Sequence, residues 1–523
     1  MGPHVNTVLI RGGLVADPVH GERVADVRLH GDRIVEVGPD LEIDGAQVVD
    51  ARGLVVLPGS IDAHSHADAR ILDDDTQEAL LSQGVTTVIV GQDGVSFAPG
   101  DGEYGTGYFG PLNGTLPGSG KSVADLLARY EGRTRLGVGY LVPAGTVRHE
   151  VMGDRSDRPS PYELDQMTRL VAAGMADGAL GLSSGLDYAP GCYADATELA
   201  ALCRPVAQAG GLYASHMRGY EENAHVGFAE LAEISRASGV RAHISHFHAR
   251  TEVMRELVQR GINAGLDISF DSYPYTRGFS LLELMVLPKD LVPQDRGTGA
   301  RSLRESAVRG LVRDHHQSHW ADDGIDESFW ASQIQIASAG HPDWAWTEGW
   351  SLHEIAAVSG APPLDIALDI MADSSLTATG VVEFAPDRSD ADLAEQFALA
   401  GACVGSDGIY LGGAPHPRAW GAFARMYRIF VVERANFTWS QMATLISARP
   451  AERYGLRDRG RVAPGYRADL WLADPGDLRD NASYADPKAC ASGARHVFVA
   501  GREVLNSSGL TSALPGGAAV SGR

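Results

Sequence analysis

A chain of 523 residues, 44% of them apolar, is long enough for one large domain and a smaller one and can bury a sizeable core. Its formal charge of −23 repels phosphate backbones and argues against a nucleic-acid partner, and no run of about 18 apolar residues is present to span a membrane. The four cysteines (Cys192, Cys203, Cys403, Cys490) form no CxxC pair, which excludes a thiolate zinc cluster and fits a reduced, cytoplasmic protein.

In chain order, residues 1–12 lack a basic segment followed by an apolar stretch, so no signal peptide is expected. Residues 5–58 alternate apolar and polar positions in short runs (VNTVLIRGG, VADVRLHGDRIVEVG, AQVVDARG), the pattern of half-buried strands. Similar text returns at 460–474 and 496–506, so 1–58 and 459–508 are expected to build one composite β-sandwich from both chain ends. Between them, over 59–458, eight apolar runs end in polar or glycine-rich tips and are followed by helical stretches. They are LVVLPGSIDAHSH, TTVIVGQD, RLGVGYLVPAG, GALGLSSGL, GLYASHMR, RAHISHFH, GLDISFDSYP and GACVGSDG. Strands buried on both faces and alternating with helices predict an α/β fold, a (β/α)₈ TIM-type barrel. The stretch 283–350, with Trp320, Trp330, Trp344, Trp346 and Trp350, exceeds what a barrel connection needs and is expected to be an inserted lid; 509–523 is expected to be a flexible tail.

Active sites of such barrels lie at the C-terminal ends of the strands, and the chemistry-bearing residues fall there. His64 and His66 close the first run, Asp93 the second, His216 the fifth, His246 and His248 the sixth, and Asp407 the eighth. Side chains two apart on a strand point the same way, so His64 and His66 can converge on one ion while His216, His246 and Asp407 approach from across the barrel. Three or four nitrogen and oxygen ligands with room for water is the pattern of a catalytic zinc site. HxH alone is a common accident; the ordered set is not.

The segments GSIDAHSHAD, GVTTVIVGQDG, AGTVRHEVMG, GALGLSSGLDYAPGCYA, YASHMRGY, ISHFHA, DSYPYT, GSDG and PHPRAWG follow one another in this chain. In that order they resemble the amidohydrolase superfamily, in particular its D-aminoacylase (N-acyl-D-amino-acid deacylase) branch, over about residues 5–475. The resemblance implies a barrel with a small β-sandwich, and Zn²⁺ as cofactor in one or two copies. It implies His64, His66 and Asp407 as ligands of one site, and His216 and His246 as ligands of the second. The branch usually bridges the two with a cysteine; here Asp93 of Gly91-Gln92-Asp93-Gly94 takes that place. A carboxylate can bridge through both oxygens, and its hardness favours Mn, Fe or Co relative to a thiolate. A carboxylated-lysine bridge is rejected, because Lys121, Lys289 and Lys488 lie at no barrel strand end. Nor is GSGKS a phosphate loop, since Thr115 stands where its first glycine belongs.

Two further departures concern the substrate. Where the branch has ISHxK, this chain has His248, a weaker carboxylate partner than a lysine; where it has GHGTLR, Ala144 replaces the histidine. Tyr188 and Tyr275 match substrate-contacting tyrosines. Arg277, where relatives carry a small residue, is expected to replace the missing lysine's charge. The implied activity is hydrolysis of a small N-acyl-D-amino acid or related N-acyl compound to a carboxylate and a free amine, with Asp407 taking the attacking water's proton and passing it to the leaving nitrogen. A tailoring deacylase of larger natural products and a cyclic-amide hydrolase of the hydantoinase or dihydroorotase type stay open as alternatives. A non-catalytic binding protein is disfavoured by the complete ligand set, and a homo-oligomer is compatible with everything above.

Overall fold

A computed structural model of the protein describes residues 7–118, 120–292, 296–383, 388–514 and 519–520. Its centre is an eight-stranded parallel sheet of β1 (Ser60–Asp62), β2 (Val85–Val90), β3 (Gly137–Pro143), β4 (Gly181–Gly185), β5 (Leu212–His216), β6 (Arg241–Ile244), β7 (Ile268–Ser272) and β8 (Ala402–Val404), each hydrogen-bonded to the next in that order. The sheet closes between β8 and β1. The Ala63 amide donates to the Val404 carbonyl, the Asp407 amide donates to the His64 carbonyl, and Ser65 bridges Gly408. Each of the eight anticipated runs supplies one strand. The cause is local: β2 (VTTVIV) and β3 (GVGYLVP) are buried at every position, as strands enclosed on one face by the barrel interior and on the other by helices must be.

Five strands from the N-terminal end and four from the C-terminal end join into one nine-stranded sheet. They meet where Val55–Pro58 pairs antiparallel with Leu470–Ala473. Alternation assigns the faces. Val56, Leu470 and Leu472 enter a core belonging to this sheet, whereas Val55, Leu57, Trp471 and Ala473 enter the barrel's core. Ile34 near one edge and Phe498 toward the other share that first core, so the sheet folds over on itself as a sandwich does.

The inserted unit is wider than 283–350. It begins with a strand at Arg277–Leu281 and ends with one at Thr379–Glu383; together with Ile334–Ser338 these form a separate three-stranded antiparallel sheet. The expectation missed its flanks because Arg277–Leu281 follows directly on the seventh barrel-strand motif and carries no turn signal of its own. Trp320 is buried in the insertion's core, Trp330 and Trp344 pack against it, and Trp346 and Trp350 are exposed. The C-terminal stretch also departs from a flexible tail. Leu510 ends a strand, and Val520 is buried among Ile61, Ile89, Leu141, Leu180 and Leu212, its amide donating to the Val138 carbonyl. Residues 515–518 and 521–523 of that stretch lie outside the described residues. Among the described residues no single helix is long and apolar enough to cross a membrane.

Candidate metal centre and active-site cavity

The end of β5 and the loops after β1, β2, β6 and β8 bring four imidazoles and two carboxylates to one point at the barrel mouth. His64 Nε2 lies 3.6 Å from Asp93 Oδ1 and 3.7 Å from Asp407 Oδ1; His66 Nε2 lies 3.5 Å from Asp93 Oδ2 and 3.2 Å from Asp407 Oδ1. From the other side His216 Nδ1 and His246 Nε2 sit 3.7 and 3.8 Å from Asp93 Oδ2 and 2.9 Å from each other. Ligands at about 2.0–2.1 Å around a tetrahedral zinc are separated by about 3.3 Å, so atoms at these spacings could hold an ion between them after small side-chain adjustments. Two triplets of ligand atoms gather within 4.8 Å: His64, His66 and Asp407, and His64, Asp93 and His246. His216 joins the second through His246.

The backbone aims these groups at a cost. Asp93 (φ 54°), His246 (φ 34°) and Asp407 (φ 49°) all adopt left-handed conformations, a strain that clusters at functional sites. Around Asp93 the loop needs glycine. A Cβ on Gly91 (φ 77°) would stand 2.4 Å from the Leu141 carbonyl oxygen, and one on Gly94 (φ 73°) 2.7 Å from the Gly185 nitrogen. Asp68 pins the same loop by accepting from the Gly91 amide at 3.0 Å and the Ser96 hydroxyl at 2.5 Å.

A second set of polar groups fixes the imidazoles. Asn113 Oδ1 lies 2.8 Å from His66 Nδ1, Asp187 Oδ2 lies 3.2 Å from His216 Nε2, and Asp271 Oδ2 lies 3.4 Å from His64 Nδ1 while Asp271 Oδ1 accepts from the His246 amide at 2.9 Å. The rings of His64, His66 and His216 each meet such a group at one nitrogen with the other turned inward, as in metal-bound histidines, whereas His246 is held through its backbone amide. The chemistry of the donor set fits a divalent ion. His64 Nε2 and Asp93 Oδ1 are buried, face the centre, and accept or donate no hydrogen bond among the described residues. Electrostatics agree: burial disfavours charge on Asp93, yet His64, His216, His246 and His66 outweigh it and hold the carboxyl well below its ordinary range. Burial likewise opposes ionisation of Asp407, but Arg418 and His66 keep it ionised. Arg418 is fully buried, with Nη2 2.7 Å from Asp407 Oδ2 and its guanidinium 4.5 Å over the Tyr273 ring.

His66, Asp93, His216, His246 and Asp407 line a cavity of about 520 Å³. Tyr188 lines it, with its hydroxyl 3.5 Å from His216 Nδ1. His248 lines it too, held 3.1 Å from Glu221 Oε1 and stacked on Tyr220 at 4.6 Å. Burial pulls the His248 imidazole down to about 4, overriding Glu221, so it is neutral at neutral pH. Tyr275 and Arg277 are elsewhere, which corrects the expectation for both. Tyr275 lines a separate cavity beside Arg425. Arg277 donates to Glu383 at 2.8 Å and lies 4.4 Å over the Tyr484 ring. The reason is topological: the chain has already left the barrel at Arg277 and entered the insertion's sheet, where Arg277 stands opposite Glu383.

Sequence reasoning gave no role to Asn113, Asp187, Asp271 or Arg418. Asp271 and Arg418 stand inside motifs already singled out, DSYPYT and PHPRAWG, and a buried charge in such a motif was the available signal. Asn113 ends a helix after β2 and nothing local marks it.

Comparison with known proteins agrees with this geometry. The model of the amidohydrolase family matches residues 47–321 and 341–505. An N-acyl-D-glutamate deacylase of Alcaligenes xylosoxydans xylosoxydans is 30% identical over 518 residues, covering 95% of this chain and 93% of that protein. A D-aminoacylase of the same organism is 29% identical, covering 96% of this chain and 95% of that protein. Among solved structures, the N-acyl-D-glutamate deacylase of Bordetella bronchiseptica, complexed with zinc and a phosphonate mimic of the tetrahedral intermediate, superposes with a TM-score of 0.82 at 25% identity over 99% of this chain and 100% of that one. A D-aminoacylase described as having a binuclear metal centre, with one-metal activation and second-metal attenuation, gives a TM-score of 0.81 at 26% identity over 99% of both chains. A D-hydantoinase, at 14% identity and a TM-score of 0.56 over 97% of this chain and 96% of that one, shares the fold alone.

Proposed function

This chain belongs to the amidohydrolase family, and on that premise we propose that it is a metal-dependent deacylase that hydrolyses N-acyl-D-amino acids to a carboxylate and a free D-amino acid. The observation that carries this reading is the convergence of His64, His66, Asp93, His216, His246 and Asp407 at the barrel mouth, all but His64 lining one cavity, with His64 Nε2 and Asp93 Oδ1 unsatisfied and facing inward. His64, His66 and Asp407 would hold one divalent ion, His216 and His246 a second, and Asp93 would lie between them. When bound, such an ion supplies Lewis acidity and brings the pKa of water toward about 7.

The chain's own groups do the rest. Asp407, kept ionised by Arg418, accepts the proton of the attacking water and returns it to the amide nitrogen as the carbon–nitrogen bond breaks. Tyr188 lies beside His216 and orients the acyl group; His248, neutral, offers a hydrogen bond to the substrate's far end. The opposite wall comes from the insertion and is apolar (Phe279, Leu284, Met285, Val382), while the cations that line the cavity are engaged, Arg218 by Glu230 and Lys289 by Asp187. That wall supports apolar side chains over acidic ones. Relatives named for N-acyl-D-glutamate, N-acyl-D-aspartate and D-amino acids support the D configuration. The four unpaired cysteines support a cytoplasmic location.

The test is amine release from N-acetyl-D-methionine, D-leucine, D-phenylalanine, D-glutamate and D-aspartate, their L counterparts and hydantoins, before and after chelation and with Zn²⁺, Co²⁺ or Mn²⁺ restored. Turnover of the D-series that vanishes on chelation and returns with metal is expected. A metal-replete protein that turns over only hydantoins, or nothing, overturns the reading.

A further inference from the structure

His216 is held from two directions. Its Nδ1 faces the centre, 2.9 Å from His246 Nε2 and 3.7 Å from Asp93 Oδ2, and its Nε2 faces outward to Asp187 Oδ2 at 3.2 Å. An imidazole that donates Nε2–H to a carboxylate must present its lone pair at Nδ1, so Asp187 selects the tautomer that the centre requires. Asp187 follows β4 by two residues and is itself shared. Its other oxygen, Oδ1, lies 2.8 Å from Nζ of Lys289, which sits in the short helical turn Lys289–Leu291 of the insertion. Both residues line the cavity, so the ion pair crosses from barrel to insertion at the cavity's rim. The Lys289 side chain is 80% exposed, and an exposed pair of this kind is easily opened.

From this geometry we infer that Asp187 is a positioning residue for His216 and that Lys289 ties the insertion to the metal centre through it. Lys289 competes with His216 for one carboxylate. With the tie made, Asp187 shares its charge; with the tie open, Asp187 gives its charge to His216 alone and makes it a stronger donor. Position of the insertion and donor strength at one side of the centre are thereby linked through a single side chain. The inference rests on the reading of His216 as a metal ligand.

The test measures metal binding by the full-length protein, with Zn²⁺ titrated against a chromophoric chelator and Co²⁺ read by its visible absorption. Asp187→Ala is expected to weaken binding about 10–100-fold, the usual effect of removing an outer partner of a ligating histidine, and to change the Co²⁺ spectrum at unchanged melting temperature. Asp187→Asn, which keeps an acceptor without the charge, is expected to fall between Asp187→Ala and the wild type. Lys289→Met is expected to tighten binding. Wild-type affinity and spectrum in Asp187→Ala and Asp187→Asn overturn the positioning role; unchanged or weakened binding in Lys289→Met overturns the tie. Wild-type protein that binds neither ion overturns the metal centre itself, and the inference with it.

Discussion

Asp93 stands among four imidazoles, with Oδ1 toward His64 and Oδ2 toward His66, His216 and His246. Its replacement is therefore informative about metal rather than about fold. Asp93→Ala is expected to lower bound metal to at most one ion per chain by elemental analysis. Asp93→Cys is expected to keep two and to shift preference toward Zn²⁺ over Mn²⁺, because a soft thiolate replaces a hard oxygen. Asp407 tests the chemistry instead. Asp407→Asn keeps shape and the Arg418 contact but cannot take a proton, so kcat is expected to fall about 10²–10⁴-fold with the melting temperature little changed. Retained turnover would remove Asp407 from its role. At this scale the sequence was legible where a residue type announces its chemistry at a strand end, as with the histidines and Asp407. It misled at Tyr275 and Arg277, whose placement depends on where the chain leaves the barrel rather than on the residues themselves.

Among the elements, the insertion decides what the cavity admits, and its stability carries a pH signature. Glu283, in the helix Leu282–Val286, is 1% exposed, and burial raises its carboxyl to about 7 against the pull of Arg296, whose Nη2 is 3.4 Å away. A group whose pKa is raised on folding stabilises fully below its unfolded value, here 4.5, and that contribution is lost as pH rises through about 7. Unfolding free energy is thus expected to be lower at pH 8.5 than at pH 4.5 by about 3 kcal/mol from this residue, and Glu283→Gln should remove that part of the dependence in urea titrations at the two pH values. An insertion equally stable at both would show that the carboxyl is not held neutral. The alternating and continuous apolar patterns announced strands and helices reliably. The insertion's first and last strands, Arg277–Leu281 and Thr379–Glu383, were not legible because they pair across about a hundred residues, and each strand alone is too short to declare its partner.

Across the whole molecule, the chain ends close the structure in two places. One is the nine-stranded sheet that both termini build, and the other is the floor of the barrel, where Val520 fills the space between Ile61, Leu141 and Leu212. A charge placed there has no partner. Val520→Asp is expected to cost at least about 2 kcal/mol, read as a lower melting temperature with kcat per folded molecule unchanged; an unaltered melt would mean the plug contributes nothing. By itself the sequence determined the barrel and the candidates for its metal ligands, since strand periodicity and the chemistry of histidine and aspartate are local properties. Tertiary structure alone decided which groups hold those ligands, where Arg277 points, how far the insertion extends, and that a Gly- and Ser-rich terminus docks. Each of these is a contact between segments far apart in the chain, and such contacts exist only once the barrel has closed.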